Sequence, residues 1–230
     1  PDTASTDGST PPATPDAWAE GEGDPAETTL AEEDTDTTPQ PRVADCSSYP
    51  DSLRFNHIQT LGTHNSYHLF SPFIDTIYQW NYEHLPLDEQ MGKQGIRQFE
   101  LDMYFNKTGG YFEVYHIQGM DEETHCETFT DCLDALRSWS DQNPCHHPFM
   151  VLIQVNSFFN EETAEGYLNT LDEELLSVWP EERLITPALI RGESATVRDA
   201  LAEKGWPAIN AVRGRGLFVL HAGGNYGSVY

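Results

Sequence analysis

Four short stretches of the chain carry side chains whose types and spacing suit proton transfer around a bound cation. In residues 61–68 a His-Asn pair, His64 and Asn65, follows directly on a strand-like run. That places an imidazole and an amide oxygen at the carboxyl end of a strand, where parallel α/β proteins build their sites. In Phe99-Glu100-Leu101-Asp102-Met103, side-chain alternation sets Glu100 and Asp102 on one face and the apolar residues on the other, which must meet the helix layer. Two carboxylates turned inward are costly unless compensated. A hard cation held by oxygens, calcium or magnesium, would compensate them, and so would a nearby base such as Arg97. Phe112, Val114 and His116 share a face, so His116 ends a third strand much as His64 follows the first. Met150, Leu152, Gln154 and Asn156 do the same in a fourth, and Asn156 brings another neutral oxygen to that rim. Two imidazoles beside an oxygen-held cation form an apparatus for phosphodiester cleavage. One takes a proton from the attacking hydroxyl, the other supplies one to the leaving oxygen, and the metal stabilises the developing charge.

The elements that must hold these groups alternate between β-like runs and amphipathic stretches, the pattern of an α/β protein with a parallel sheet. Strands are expected at 55–62, 97–104, 111–116, 149–155 and 217–221. Helices are expected near 71–82, at 87–94 up to Gly95, at 129–143 with Leu133, Leu136 and Trp139 at intervals of three, at 161–178 and at 196–204. Five strands leave a choice between an open doubly wound sheet and part of an eight-stranded barrel. A complete barrel takes about 250 residues, against about 185 here beyond residue 45.

The chain has 230 residues, 38% of them hydrophobic, with 12 Lys+Arg against 38 Asp+Glu for a formal charge of −26. A core can be buried, but binding through a nucleic-acid backbone needs a surplus of cations and is excluded. No run is long and apolar enough to span a bilayer. Residues 1–45 hold 12 of the acids, one base and seven prolines, and are expected to be a disordered acidic tether, with the folded part at 46–230. The four cysteines, Cys46, Cys126, Cys132 and Cys145, fit no CxxC metal pattern, and their even number suits two disulfides in an oxidising compartment. If 129–143 is helical, Cys145 lies roughly 20 Å along it from Cys126 and Cys132. That favours Cys126–Cys132 with Cys46–Cys145.

The segments Ile58-Gln59-Thr60-Leu61-Gly62-Thr63-His64-Asn65-Ser66-Tyr67, Gln94-Gly95-Ile96-Arg97-Gln98-Phe99-Glu100-Leu101-Asp102 and Val114-Tyr115-His116 resemble the catalytic X region of phosphoinositide-specific phospholipases C. Residues 131–148 resemble the calcium-dependent bacterial branch. The resemblance covers roughly 52–222. It implies a TIM-type (β/α) barrel, incomplete here at about five of eight strands, and a calcium-dependent enzyme acting on phosphatidylinositol at a membrane surface. It further implies that His64 is the general base on the inositol 2-hydroxyl and His116 the acid for the diacylglycerol leaving group, with a cyclic inositol phosphate as product. Asn65, Glu100 and Asp102 would bind Ca2+, with Asn156 standing where the family usually has a glutamate. Because the sequence stops at Tyr230, after what would be strand five, a piece of a longer protein is expected. Secretion or tethering at a cell surface, as a monomer, goes with this assignment. Two alternatives stand beside it: a glycerophosphodiester phosphodiesterase, disfavoured by His64-Asn65-Ser66 where a His-Arg-Gly signature is usual, and a non-catalytic calcium- or lipid-binding module.

Overall fold

Strand β1 (Gln98–Asn106) is the axis of the molecule, because its two faces have opposite character. Phe99, Leu101 and Met103 are wholly buried against the helices, whereas Glu100 and Asp102 look to the other side. Sliding β1 by one residue would turn three large apolar side chains out, at about 1.5–3 kcal/mol each, and would press two carboxylates into the helix layer. Its register is therefore fixed. In the computed structural model, which describes residues 46, 48–71, 80–157 and 161–221, β1 sits inside a four-stranded sheet of order β2-β1-β3-β4. All of these residues belong to one unit, Val43–Tyr230. The expected tether at 1–45 and most of the helix expected at 71–82 lie outside the described residues.

β3 (Phe149–Val155) runs parallel to β1, from Gln98 opposite Met150 to Met103 opposite Val155, and β4 (Gly216–Leu220) runs parallel to β3. β2 (Tyr111–Val114) departs from the expected all-parallel pattern and pairs antiparallel with β1, Met103 opposite Val114. The reason is chain length. A parallel return needs a crossover of about a dozen residues, and Lys107–Gly110 supplies four. The turn is built by Asn106, whose Oδ1 accepts the N–H groups of Thr108 and Gly109 at 3.0 and 2.8 Å, and Gly110 takes the φ of +76° that closes it.

The strand expected at 55–62 is a second departure. Residues Phe55–His57 form a 3-10 turn in which Phe55 packs on Trp206, ring centroids 5.6 Å apart, and only Gly62 bridges to the sheet, parallel to Gln98. A Cβ at Gly62 would lie 2.9 Å from that of Gln98, so the close approach requires glycine. One edge of β1 is thus shared: Gly62 and the loop after it take its first half, and β2 its second.

Helix α1 (Leu87–Glu89) runs into a π-helical turn, Gln90–Gln94, and stops at Gly95 in the left-handed region, as the glycine predicts. α2 (Phe129–Gln142) opens on a capping box between Thr128 and Asp131 and buries Phe129, Cys132, Leu133 and Leu136. α3 (Glu161–Val178) and α5 (Val197–Lys204) fall where expected. The short helices α4 (Pro187–Arg191) and α6 (Ile209–Val212), too brief for periodicity to show, lie between α3 and α5 and between α5 and β4 respectively. Trp179, fully buried, joins Phe149 and Phe218 under the sheet. The disulfides are Cys46–Cys145 and Cys126–Cys132 as expected, and Arg213 donates to the carbonyls of Cys46 and Cys145, clasping both halves of the first. Among the described residues no helix is long and apolar enough to cross a membrane.

Helix α3 is tied to β2 by Glu174, whose Oε1 accepts the Phe112 N–H at 3.0 Å while its Oε2 is buried without a partner. Burial pushes this carboxyl up to about 7, against the opposing pull of that N–H. The folded protein holds the proton more tightly than the unfolded chain does, so stability falls as pH rises from the ordinary glutamate range through 7. Glu174→Gln should therefore melt close to wild type at pH 5 and above it at pH 8. A difference independent of pH would contradict this.

Candidate active site

The loop after Gly62 is folded by its own hydroxyls. Ser66 Oγ donates to the Thr63 carbonyl at 3.0 Å and accepts the Glu100 N–H at 2.9 Å, and the Ser66 N–H donates to the Glu100 carbonyl at 3.0 Å. Gln90 secures the Ser66 carbonyl from α1's side at 2.7 Å. Ser66 is therefore a turn residue. Asn65 is held at φ +48°, a left-handed conformation that asparagine tolerates better than most residues. This turns its backbone N–H onto Glu100 Oε2 at 2.7 Å and its side chain over the two carboxylates.

The outer atom of the Asn65 amide meets the Tyr82 hydroxyl at 2.9 Å, and the inner atom lies 3.0 Å from Glu100 Oε2 and 2.9 Å from Asp102 Oδ2. Nitrogen inward gives two hydrogen bonds to the carboxylates. Oxygen inward gives three converging oxygens with no proton between them, the donor set of a hard divalent cation. Asp102 is further gripped by the Tyr67 hydroxyl at 3.0 Å and by Asn156 Nδ2 at 2.6 Å. Asn156 thus joins the cluster through its nitrogen, and its oxygen accepts from Gln154 at 3.1 Å. In this conformation it orients Asp102.

Arg97, the base that could have neutralised the carboxylates, points away. It donates to the carbonyls of Met91 and Ile96 and stacks over Trp139 at 4.7 Å. No Lys or Arg among the described residues forms an ion pair with Glu100 or Asp102. Burial, and then the neighbouring charge of Asp102, push the Glu100 carboxyl above its ordinary range. The residues present fit calcium: all-oxygen donors, two of them anionic, with no Lys or Arg among the described residues paired to them.

Above this cluster lies an open cavity of about 450 Å³ lined by Gly62, Thr63, His64, Asn65, Trp80, Tyr82, His84 and His116. The structure thereby brings His64 and His116 to one cavity, with Asn65 between it and the carboxylates. His64 is exposed, and its carbonyl faces His84 Nε2 at 3.0 Å. His116 is half-buried, its Nδ1 2.8 Å from Asp121 Oδ2, with the Trp80 ring edge-on at 5.1 Å. Two groups missed in the sequence stand out. Tyr67 reaches Asp102, and Asp121, wholly buried, lies between His116 and His68. In the sequence Asp121 opens the acidic run Asp121-Glu122-Glu123, which reads as a solvated surface.

The fold agrees with what is found among known proteins. The model of the family "Phosphoinositide phospholipase C, Ca2+-dependent" matches residues 53–114 and 111–230. No curated protein matches. Among solved structures, the chain is similar to a Ca2+-dependent phosphatidylinositol-specific phospholipase C from Streptomyces antibioticus, with 22% identity and TM-score 0.53 over 70% of this chain and 51% of that one. It is also similar to a calcium-dependent phosphoinositol-specific phospholipase C from Pseudomonas sp in complex with myo-inositol, at 22% identity and TM-score 0.55 over 74% and 58%. A phosphatidylinositol-specific phospholipase C from Listeria monocytogenes gives 16% identity and TM-score 0.53 over 79% and 56%.

The mixed α/β sheet is thus part of a TIM-type barrel, and the chain spans between half and three-fifths of the length of these relatives. The chain belongs to the calcium-dependent phosphoinositide phospholipase C family. The match sets aside the glycerophosphodiester alternative.

A calcium ion held by Glu100 would compete with a proton there, so calorimetric calcium affinity should rise with pH above the ordinary glutamate range. Glu100→Gln should weaken binding and flatten that dependence. Affinity independent of pH, with the variant binding like wild type, would remove Glu100 from the cation site.

Proposed function

We propose that the chain is the catalytic part of a calcium-dependent phospholipase C that cleaves phosphatidylinositol to diacylglycerol and a cyclic inositol phosphate. One observation carries the proposal: His64 and His116 line the same cavity, and its Asn65 wall is bonded to Glu100 and lies against Asp102. Asn65, Glu100 and Asp102 would hold Ca2+, with Asn156 orienting Asp102. When bound, the ion supplies positive charge against the phosphate oxygens.

The chain's own groups supply the rest. The His64 imidazole, exposed at the rim, takes the proton of the inositol 2-hydroxyl as its oxygen bonds to phosphorus. The bond from phosphorus to the glycerol oxygen breaks, and His116 delivers a proton to that oxygen. Water then opens the cyclic phosphate with the two imidazoles in exchanged roles. Trp80 and Tyr82 offer apolar walls against which a polyol ring can be oriented.

The proposal extends to the surroundings. Two disulfides suit an oxidising compartment, so we place the protein outside the cytoplasm, with residues 1–45 as an acidic tether and the catalytic part as a monomer at a lipid surface.

With phosphatidylinositol vesicles and calcium, inositol phosphate release should fall about 10²–10⁴-fold in His64→Ala and in His116→Ala, with calcium affinity retained. Full turnover in either variant would remove that histidine from the chemistry. Calcium binding without turnover in wild type would identify a non-catalytic module.

A further inference from the structure

Asp121 is wholly buried, and its carboxylate is clasped by two imidazoles. Its Oδ2 lies 2.8 Å from His116 Nδ1 and 2.9 Å from His68 Nε2, and its Oδ1 lies 3.1 Å from the same His68 nitrogen. His68 is wholly buried as well. Its other nitrogen, Nδ1, faces the Tyr82 carbonyl at 2.9 Å, so both ring nitrogens meet oxygens that can only accept, and each must carry a proton. The Tyr82 ring stacks on His68 with centroids 4.5 Å apart, a favourable face for such a ring. A His68 protonated on both nitrogens would compensate the buried carboxylate and leave Asp121 a lone pair for His116.

The backbone brings Asp121 to this place by a tight return. Ile117 and Asp121 form a bridge, the Asp121 N–H donates to the Ile117 carbonyl at 2.9 Å, and Gly119 at φ +76° allows the turn. From the other side the Tyr104 hydroxyl donates to the His116 carbonyl at 2.9 Å, and Trp80 stands edge-on to the ring. With Nδ1 turned inward onto Asp121, Nε2 is the nitrogen left to the cavity that His116 lines.

We propose that Asp121, anchored by His68, is the positioning residue that holds the Nδ1 proton of His116 and presents its Nε2 to the substrate. This rests on the phosphodiester cleavage proposed above only for its consequence in turnover; the placement of protons is independent of it. A carboxylate behind a histidine fixes the tautomer as well as the orientation, so its loss costs the proton-transfer step and leaves binding intact. His68 is thereby a buried counterion with a role in the site, and of the three histidines that line the cavity, His64, His84 and His116, His84 turns its Nε2 onto a backbone carbonyl.

The test is ¹⁵N spectroscopy of the histidine rings in the full chain, with EDTA-treated protein returned to calcium. Protons on both nitrogens of His68 and on Nδ1 of His116 are expected, with solvent exchange at His116 confined to Nε2. Asp121→Asn should mix the His116 tautomers while keeping calcium affinity, and on phosphatidylinositol vesicles should lower kcat by about 10²–10⁴-fold with KM little changed. If that variant does not fold, the wild-type spectra and Asp121→Glu, expected to restore the tautomer in part, still decide. A bare His116 Nδ1 in wild type would overturn the proposal, as would tautomer and kcat unmoved in Asp121→Asn. So would stoichiometric zinc in the protein before EDTA treatment, since the three ligand atoms lie within 4.8 Å of one another and could hold such an ion instead. Wild-type protein that shows the expected protons but no turnover would count against the phosphodiesterase function and leave the proton placement standing.

Discussion

Two carboxylates on the inner face of β1 set the terms for everything around them. Glu100 and Asp102 cannot turn to the helix layer, because Phe99, Leu101 and Met103 fill it, and no described Lys or Arg pairs with them, Arg97 being spent on backbone carbonyls and Trp139. Buried like charge of this kind is tolerable only where donors surround it. The neighbouring elements provide them one at a time: the Asn65 N–H, the Tyr67 hydroxyl and the Asn156 amide. No Lys or Arg among the described residues pairs with that charge, and an oxygen set of this kind suits the divalent ion proposed for it.

The same constraint explains the loop that carries the first histidine. Because Asn65 must put both its backbone and its side chain over the carboxylates, the chain is forced through a left-handed residue there, and His64 is lifted to the exposed rim. Ser66 then stitches the loop to the edge of β1 that β2 leaves free. His116 reaches the same rim by a different route, a hairpin that reverses the chain over four residues, so the two imidazoles converge although one follows the Gly62 bridge, parallel to β1, and the other follows β2, antiparallel to it.

Much of this was legible in the sequence, and what escaped has identifiable causes. Alternation in a strand has a period of two, so the faces of β1 and β3 could be assigned residue by residue. Capping chemistry at Thr128 and the glycine stop at Gly95 likewise mark helix ends locally. The antiparallel course of β2 was available too, in Asn106 and the Gly109-Gly110 pair and in the shortness of the connection. The strand expected at 55–62 failed because its β-like composition serves another purpose, packing Phe55 on Trp206, a contact 151 residues distant in the chain. Tyr67 and Asp121 could not be found locally at all: one looks like a packing aromatic and the other like surface acid, and only tertiary contacts give them partners. Asn156 was placed at the right rim, but which end of its amide faces Asp102 depends on Gln154, a hydrogen bond that no residue pattern encodes.

Terbium is a luminescent substitute for calcium, and the Tyr67 phenol touches the Asp102 carboxylate while the Tyr82 phenol lies against the Asn65 amide. Excitation in the tyrosine band should therefore give sensitised terbium emission that saturates at one ion per chain, is displaced by calcium, and disappears in Asp102→Asn. Emission that persists unchanged in that variant, or that calcium does not displace, would mean that the inward carboxylates are not where the divalent ion binds.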